Sequence, residues 1–147
     1  MNSMTNSTLD ASHEAAMQEA FPAVDPGAVP VGGRILVQWR QTRKTVTSSG
    51  IVLVEETKET EKWNNQVAKV ISIGPLAFKK RDTLEPWPEG NWVEVGDYVR
   101  MPKWGGDRWE VPYGDEKLGE TALFSIFNDH EVISKVTGDP LKVKAFL

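Results

Sequence analysis

Arg34-Ile35-Leu36-Val37-Gln38-Trp39 is the stretch on which the fold turns. Ile35, Val37 and Trp39 fall on one face at period two, the pattern of a half-buried β-strand. Towards the C-terminus the chain turns polar: Arg40-Gln41-Thr42-Arg43-Lys44-Thr45-Val46-Thr47-Ser48-Ser49 on one side, Glu55-Glu56-Thr57-Lys58-Glu59-Thr60-Glu61-Lys62 on the other. Between them stands one apolar run, Gly50-Ile51-Val52-Leu53. Neither flank has the apolar surface to offset the ordering of its backbone, about 1–2 kcal/mol per residue. A structureless loop of this length inside a compact domain is unusual and is generally functional or disordered. Two readings follow from these residues alone: a triplet displayed for another protein, or a short buried edge strand from Ile51 to Val54.

The following segments extend the β pattern. Val67-Ala68-Lys69-Val70-Ile71-Ser72-Ile73 is rich in β-branched residues and closes on Gly74-Pro75. Trp92-Val93-Glu94-Val95 is expected as a strand leading into a Gly96-Asp97 turn, with Tyr98–Met101 leaving it. Arg108–Val111 and Ala122–Phe127 supply further strands, Asn128–Glu131 a turn, and Val132–Val136 a closing strand. Many short strands separated by Gly, Pro, Asn and Asp imply a small all-β barrel. At 147 residues, with 39% apolar and 26% charged residues, the chain suits one domain with one modest core.

In order and spacing, four segments resemble the GroES-type co-chaperonin family, the ring-shaped lids of GroEL-type chaperonins. They are Pro30-Val31-Gly32-Gly33-Arg34-Ile35-Leu36-Val37, the Gly50-Ile51-Val52-Leu53 run, Val67–Gly74, and Val95-Gly96-Asp97-Tyr98-Val99. Each is weak alone; four in register are specific. The resemblance covers about residues 30–137 and implies a GroES-like β-barrel with a mobile loop at about 41–64. It further implies that Gly50, Ile51, Val52 and Leu53 bind the chaperonin, that subunits close into a homo-heptameric ring, and that client proteins are enclosed beneath it. ATP would be bound and hydrolysed by the partner, so no cofactor is expected in this chain.

Three regions depart from the family pattern. Residues 1–29 form an N-terminal extension in which Leu9, His13, Ala16, Met17 and Ala20 share a helical face from Asp10 to Phe21. Three prolines in Phe21–Pro30 cannot continue a helix, and a short isolated helix is marginal in water. The extension is therefore expected as a flexible tail, a short helix and Pro-rich linker at most. Residues 76–91 stand where many co-chaperonins carry a roof hairpin, but Pro86 and Pro88 flank Trp87 and disfavour a regular strand. Residues 138–147 alternate Leu141, Val143, Ala145 and Leu147 against Lys142 and Lys144, which predicts a tail strand able to pair with a neighbouring subunit. Departures of this size are similar to those of co-chaperonins carried by some bacteriophages.

Composition excludes much else. There are no cysteines, so disulfides, thiolate metal sites and cysteine nucleophiles are out. The two histidines, His13 and His130, form no metal-spaced pair, and no P-loop, G-x-S-x-G or H-E-x-x-H pattern occurs. An enzyme is not expected. No run nears the roughly 20 apolar residues that span a bilayer, and Met1–Asp10 resembles neither a secretory nor a transit signal. A cytoplasmic location, the host cell's for a phage-encoded member, and no membrane partner are expected. The rival reading is a single-strand nucleic-acid-binding barrel, suggested by Trp39-Arg40, Lys62-Trp63, Lys103-Trp104 and Arg108-Trp109. The net charge of −4 opposes it, and it leaves Ile51-Val52-Leu53 without a role. A virion or scaffold component is a third class.

Overall fold

The computed structural model describes residues 3–41, 45–46, 52–53 and 66–143. Helix α1 (Ser3–Ala20) precedes eight strands: β1 (Arg34–Trp39), β2 (Thr45–Val46), β3 (Val52–Leu53), β4 (Val67–Ile73), β5 (Tyr98–Arg100), β6 (Asp107–Pro112), β7 (Thr121–Asn128) and β8 (Ser134–Lys135). Six of them form one antiparallel sheet in the order β6-β7-β1-β4-β5-β8, and β2 and β3 pair separately. This is the expected small all-β architecture, with β6 and β8 at the two edges of the ladder.

β1 lies at the centre of the sheet, between β7 and β4, and is buried on both faces. Ile35, Val37 and Trp39 point into the main core with Ala68, Val70, Val99, Met101 and Phe127. Leu36 points the other way and packs with Ala122, Phe124 and Ile71. The β1–β4 ladder pairs Leu36 with Ser72 and Val37 with Val70, so Ile71 is the extra residue of a bulge. A bulge reverses the in–out alternation beyond it. Ile73 rather than Ser72 therefore joins the main core, and Ile71 reaches the outer cluster. At Gly74 the amide donates to the Arg34 carbonyl at 2.8 Å. A Cβ there would overlap the carbonyl oxygens of Gly32 and Arg34, so only glycine fits this crossing.

The N-terminal extension is not a free tail. α1 begins at Ser3, seven residues earlier than its helical face suggests, and its last turn docks. Ala20 and Phe21 are buried against Val67, with Met17, Tyr98, Leu141 and Val143 around them. Phe21 meets the Tyr98 ring at 5.0 Å between centroids. Beyond Phe21 an irregular strap runs over the outer face of the sheet, and Val24 packs on the Leu36 cluster. Helix propensity alone would not hold α1; burial of its C-terminal apolar residues against β4 and β5 does.

Three further expectations are corrected. Trp92–Val95 is not a strand: Glu94 and Asp97 close a turn, with the Asp97 amide donating to the Glu94 carbonyl and the Glu94 amide to the Asp97 carboxylate. Val93 enters the core while Val95 is exposed. The closing strand shrinks to Ser134–Lys135, although the Ile133 and Val136 amides still bond to β5 carbonyls. The tail strand is absent among the described residues. After Gly138 the chain makes an Asp139-capped turn, with the Leu141 amide on the Asp139 carboxylate at 3.0 Å and the Lys142 amide on its carbonyl. Leu141 and Val143 face the end of α1, so contacts with the docked extension replaced strand pairing. Residues 144–147 lie outside the described residues.

Candidate interaction site

The chain leaves the sheet at Trp39-Arg40-Gln41 and returns at Gln66-Val67. These two feet are joined by the Arg40 amide donating to the Val67 carbonyl at 3.0 Å. Between them, β2 and β3 pair antiparallel, with Thr45 opposite Leu53 and Val46 opposite Val52. Two rungs of β-branched and apolar residues are what this otherwise polar stretch can supply. Of the four candidate binding residues, Val52 and Leu53 therefore sit on a strand of a small separate ladder. Gly50 and Ile51 lie outside the described residues, as do most of the polar flanks.

The feet are heavily bonded. The Gln41 amide donates to the Ala20 carbonyl at 2.8 Å, and its side-chain amide donates to the Thr121 carbonyl at 2.6 Å. The Arg40 guanidinium donates to the Pro140 carbonyl at 2.6 Å and to that of Val143. On the returning side, the Gln66 carbonyl accepts from the Met101 amide at 2.8 Å, and its side chain accepts from Arg100 at 3.1 Å.

The second excursion, Leu76–Gly90, is built differently. Lys79 and Pro86 form an isolated bridge, and the Trp87 amide donates to the Phe78 carbonyl at 3.0 Å. Phe78 is fully buried and meets Trp87 and Trp92 at 5.4 and 6.2 Å between ring centroids. Its φ of 61° is left-handed, which costs an L-residue about 1–2 kcal/mol. Burying a whole phenyl ring outweighs that, and the buried Asp129 carboxylate accepts the Phe78 amide at 3.0 Å. Lys80–Pro86, with Leu84 among them, are exposed, as are Leu76, Pro88 and Glu89 nearer the base.

The basic-aromatic pairs are mostly committed elsewhere. Trp39 is in the core and donates to Ser125 Oγ at 2.6 Å. Trp109 stacks on Phe124 at 6.0 Å and donates to the Pro26 carbonyl. The Arg108 guanidinium lies 4.7 Å from the Trp39 ring and donates to the Lys103 and Gly105 carbonyls. Desolvation in that position lowers its pKa. Trp104, beside Lys103, is exposed at 69%; Lys62 and Trp63 lie outside the described residues. Among the described residues there is no cluster of potential metal ligands, and no helix is long and apolar enough to cross a membrane.

Compared with known families, residues 28–136 match the chaperonin 10 Kd subunit, Cpn10. The chain belongs to that family. It is a co-chaperonin, and its family implies a chaperonin partner and an oligomeric ring. Members of the Cpn10 family are non-enzymatic regulators of the chaperonin. No curated protein matches the chain. The Cpn10 match begins at Ala28 and ends at Val136, so α1, most of the strap and the Asp139 turn lie beyond it. The sequence offered a signal for the docked strap that its proline count obscured: Phe21 and Val24 are apolar residues in a segment that cannot be helix.

Proposed function

We propose that the protein is the lid of a GroEL-type chaperonin: a ring, sevenfold, whose subunits each present Gly50-Ile51-Val52-Leu53 to an apolar groove on the chaperonin and so enclose client proteins during ATP-dependent folding. The observation that carries this reading is the position of the apolar run. It falls between β1 and β4, inside the residues that match the Cpn10 family, in a stretch otherwise polar. Burying Ile51, Val52 and Leu53 supplies about 1.5–3 kcal/mol each, and ordering five or six backbone residues costs a comparable amount. One loop therefore binds weakly. Several loops on one ring bind tightly through effective concentration, and each still releases when the chaperonin's nucleotide state changes. ATP is hydrolysed by the partner, and the complex forms in the cytoplasm.

The test is co-migration with a GroEL-type ring, with and without ATP or ADP. Binding is expected only with nucleotide and is expected to change little with moderate salt, since the contact is apolar. Val52→Asp places an unpaired charge in the groove and is expected to remove binding. Wild-type refolding activity in that variant would sink the assignment of the site. Tight oligonucleotide binding that falls steeply with salt, and is lost in Trp104→Ala, would replace the lid with the nucleic-acid reading.

A further inference from the structure

We infer that the N-terminal extension is a clamp on the feet of the chaperonin-binding loop, and that its docking sets how tightly that loop binds. This rests on the proposed role of residues 50–53 and goes beyond it, because the clamp is built from residues outside the Cpn10 match.

Three groups of contacts converge on the feet. Ala20 and Phe21 cover Val67, the first residue of the returning strand, which is fully buried. The Ala20 carbonyl, one of the orphan acceptors at a helix C-terminus, accepts from the amide of Gln41, the second residue past the departing strand's end. The C-terminal turn then joins in: Arg40 donates to its Pro140 carbonyl, His13 of α1 lies 3.1 Å from its Asp139 carboxylate, and Leu141 packs on the Ala20 cluster. Helix, loop feet and C-terminal turn thus form one locked joint.

The strap holds the helix in place by a means suited to its composition. Prolines lack a donor but keep a good acceptor, so the strap cannot join the ladder as a strand, and its carbonyls need partners. Gln38 of β1 donates to the Pro22 carbonyl at 2.8 Å and Trp109 of β6 donates to that of Pro26 at 2.8 Å. Gln38 is a buried polar residue at the centre of the sheet, and this bond accounts for it.

The consequence for binding is a matter of where the loop ends. With the clamp docked, the Ala20–Gln41 and Arg40–Val67 bonds and the Trp39–Ala68 rung hold the two feet together. Released, those end rungs fray, and each frayed residue must be ordered again when the loop binds. The backbone entropy of one residue corresponds to about a tenfold change in affinity. A change of only about two- to threefold per loop compounds when several loops engage together.

The experiment uses the full chain with Phe21→Ala, Phe21→Leu and Gln38→Met, the last removing only the donor to Pro22. Amide hydrogen exchange at Arg40 and Gln41 reports the clamp, native mass spectrometry the ring, and co-migration with a GroEL-type ring plus ATP the affinity. Phe21→Ala is expected to keep the ring and the protection of β1 and β7, to speed exchange at Gln41 at least tenfold, and to weaken ring binding at least tenfold. Phe21→Leu is expected to restore both within about threefold, and Gln38→Met to shift both in the same direction by less. Faster Gln41 exchange with wild-type affinity, in either Phe21→Ala or Gln38→Met, overturns the clamp and leaves the lid standing. If Phe21→Ala does not assemble, Gln38→Met decides by the same criterion. If the wild-type protein itself does not bind with nucleotide, the lid reading falls, and the clamp's role in binding falls with it.

Discussion

The two polar excursions of this chain look alike in sequence and are opposite in construction. Residues 76–90 are charged and proline-broken, yet Ala77, Phe78 and Trp87 at their base are part of the main core, and Asp129 holds the Phe78 amide. The first excursion has its described strands, β2 and β3, in a two-rung ladder separate from the main sheet. The difference teaches that an excursion is anchored by where its bulky side chains sit, not by its mean polarity. Phe78 and Trp87 stand at the base of the second and pull it onto the barrel. In the first, the apolar run stands mid-excursion, and the described contacts with the body are made by the feet.

The contrast breaks most sharply at Phe78. Phe78→Ala is expected to cost about 3–5 kcal/mol, a large share of the roughly 5–15 kcal/mol typical of a domain. Melting temperature should fall by roughly 10 °C at matched protein concentration. A loss under about 1 kcal/mol would mean that Phe78 does not anchor the second excursion. Next in size is Asp129→Ala, which leaves the buried Phe78 amide without its acceptor at about 1–3 kcal/mol. Denaturant titration should show it, and amide exchange should rise first at Phe78.

Smaller still is the pH response of the joint at the first excursion's feet. The Leu141 amide and His13 hold the Asp139 carboxyl below its ordinary pKa of 3.8. A depressed carboxylate stabilises the fold above its unfolded pKa and loses that contribution as pH falls through the folded one. Exchange at Leu141 and Gln41 should therefore be flat from neutral pH down to about 4 once corrected for intrinsic rates, and rise below it. Asp139→Asn should abolish that acid step; an unchanged step in the variant would assign it to another carboxylate. The smallest effect on the fold belongs to Val52→Asp, expected within about 0.5 kcal/mol of wild type even though the proposed function has it losing chaperonin binding. Unfolding of that variant would place Val52 in a core and erase the contrast.

Strand positions were readable because burial leaves a periodic trace. Ile35, Val37 and Trp39 announced β1, and the β-branched run Val67–Ile73 announced β4, since neighbouring residues alternate between fixed faces. The position of the apolar run between them was readable for the same reason. The bulge at Ile71 was not, because every candidate there is apolar or small and the register depends on what lies opposite. The docked extension was not either. Its sequence states only that the strap is neither helix nor strand, and the acceptors it offers, the Pro22 and Pro26 carbonyls, are backbone atoms every residue has.

By itself, then, the sequence determined the all-β class, the strands β1 and β4, the two excursions and the apolar run Gly50–Leu53, all of them local patterns of side-chain chemistry. Tertiary structure alone decided that Phe78 sits left-handed under Trp87, that Gln38 reaches Pro22, and that Ala20 meets Gln41. Those contacts join residues 9 to 21 positions apart, and their stability comes from shared burial and from partners for buried polar groups. Neither quantity exists until the sheet has formed and brought the partners together.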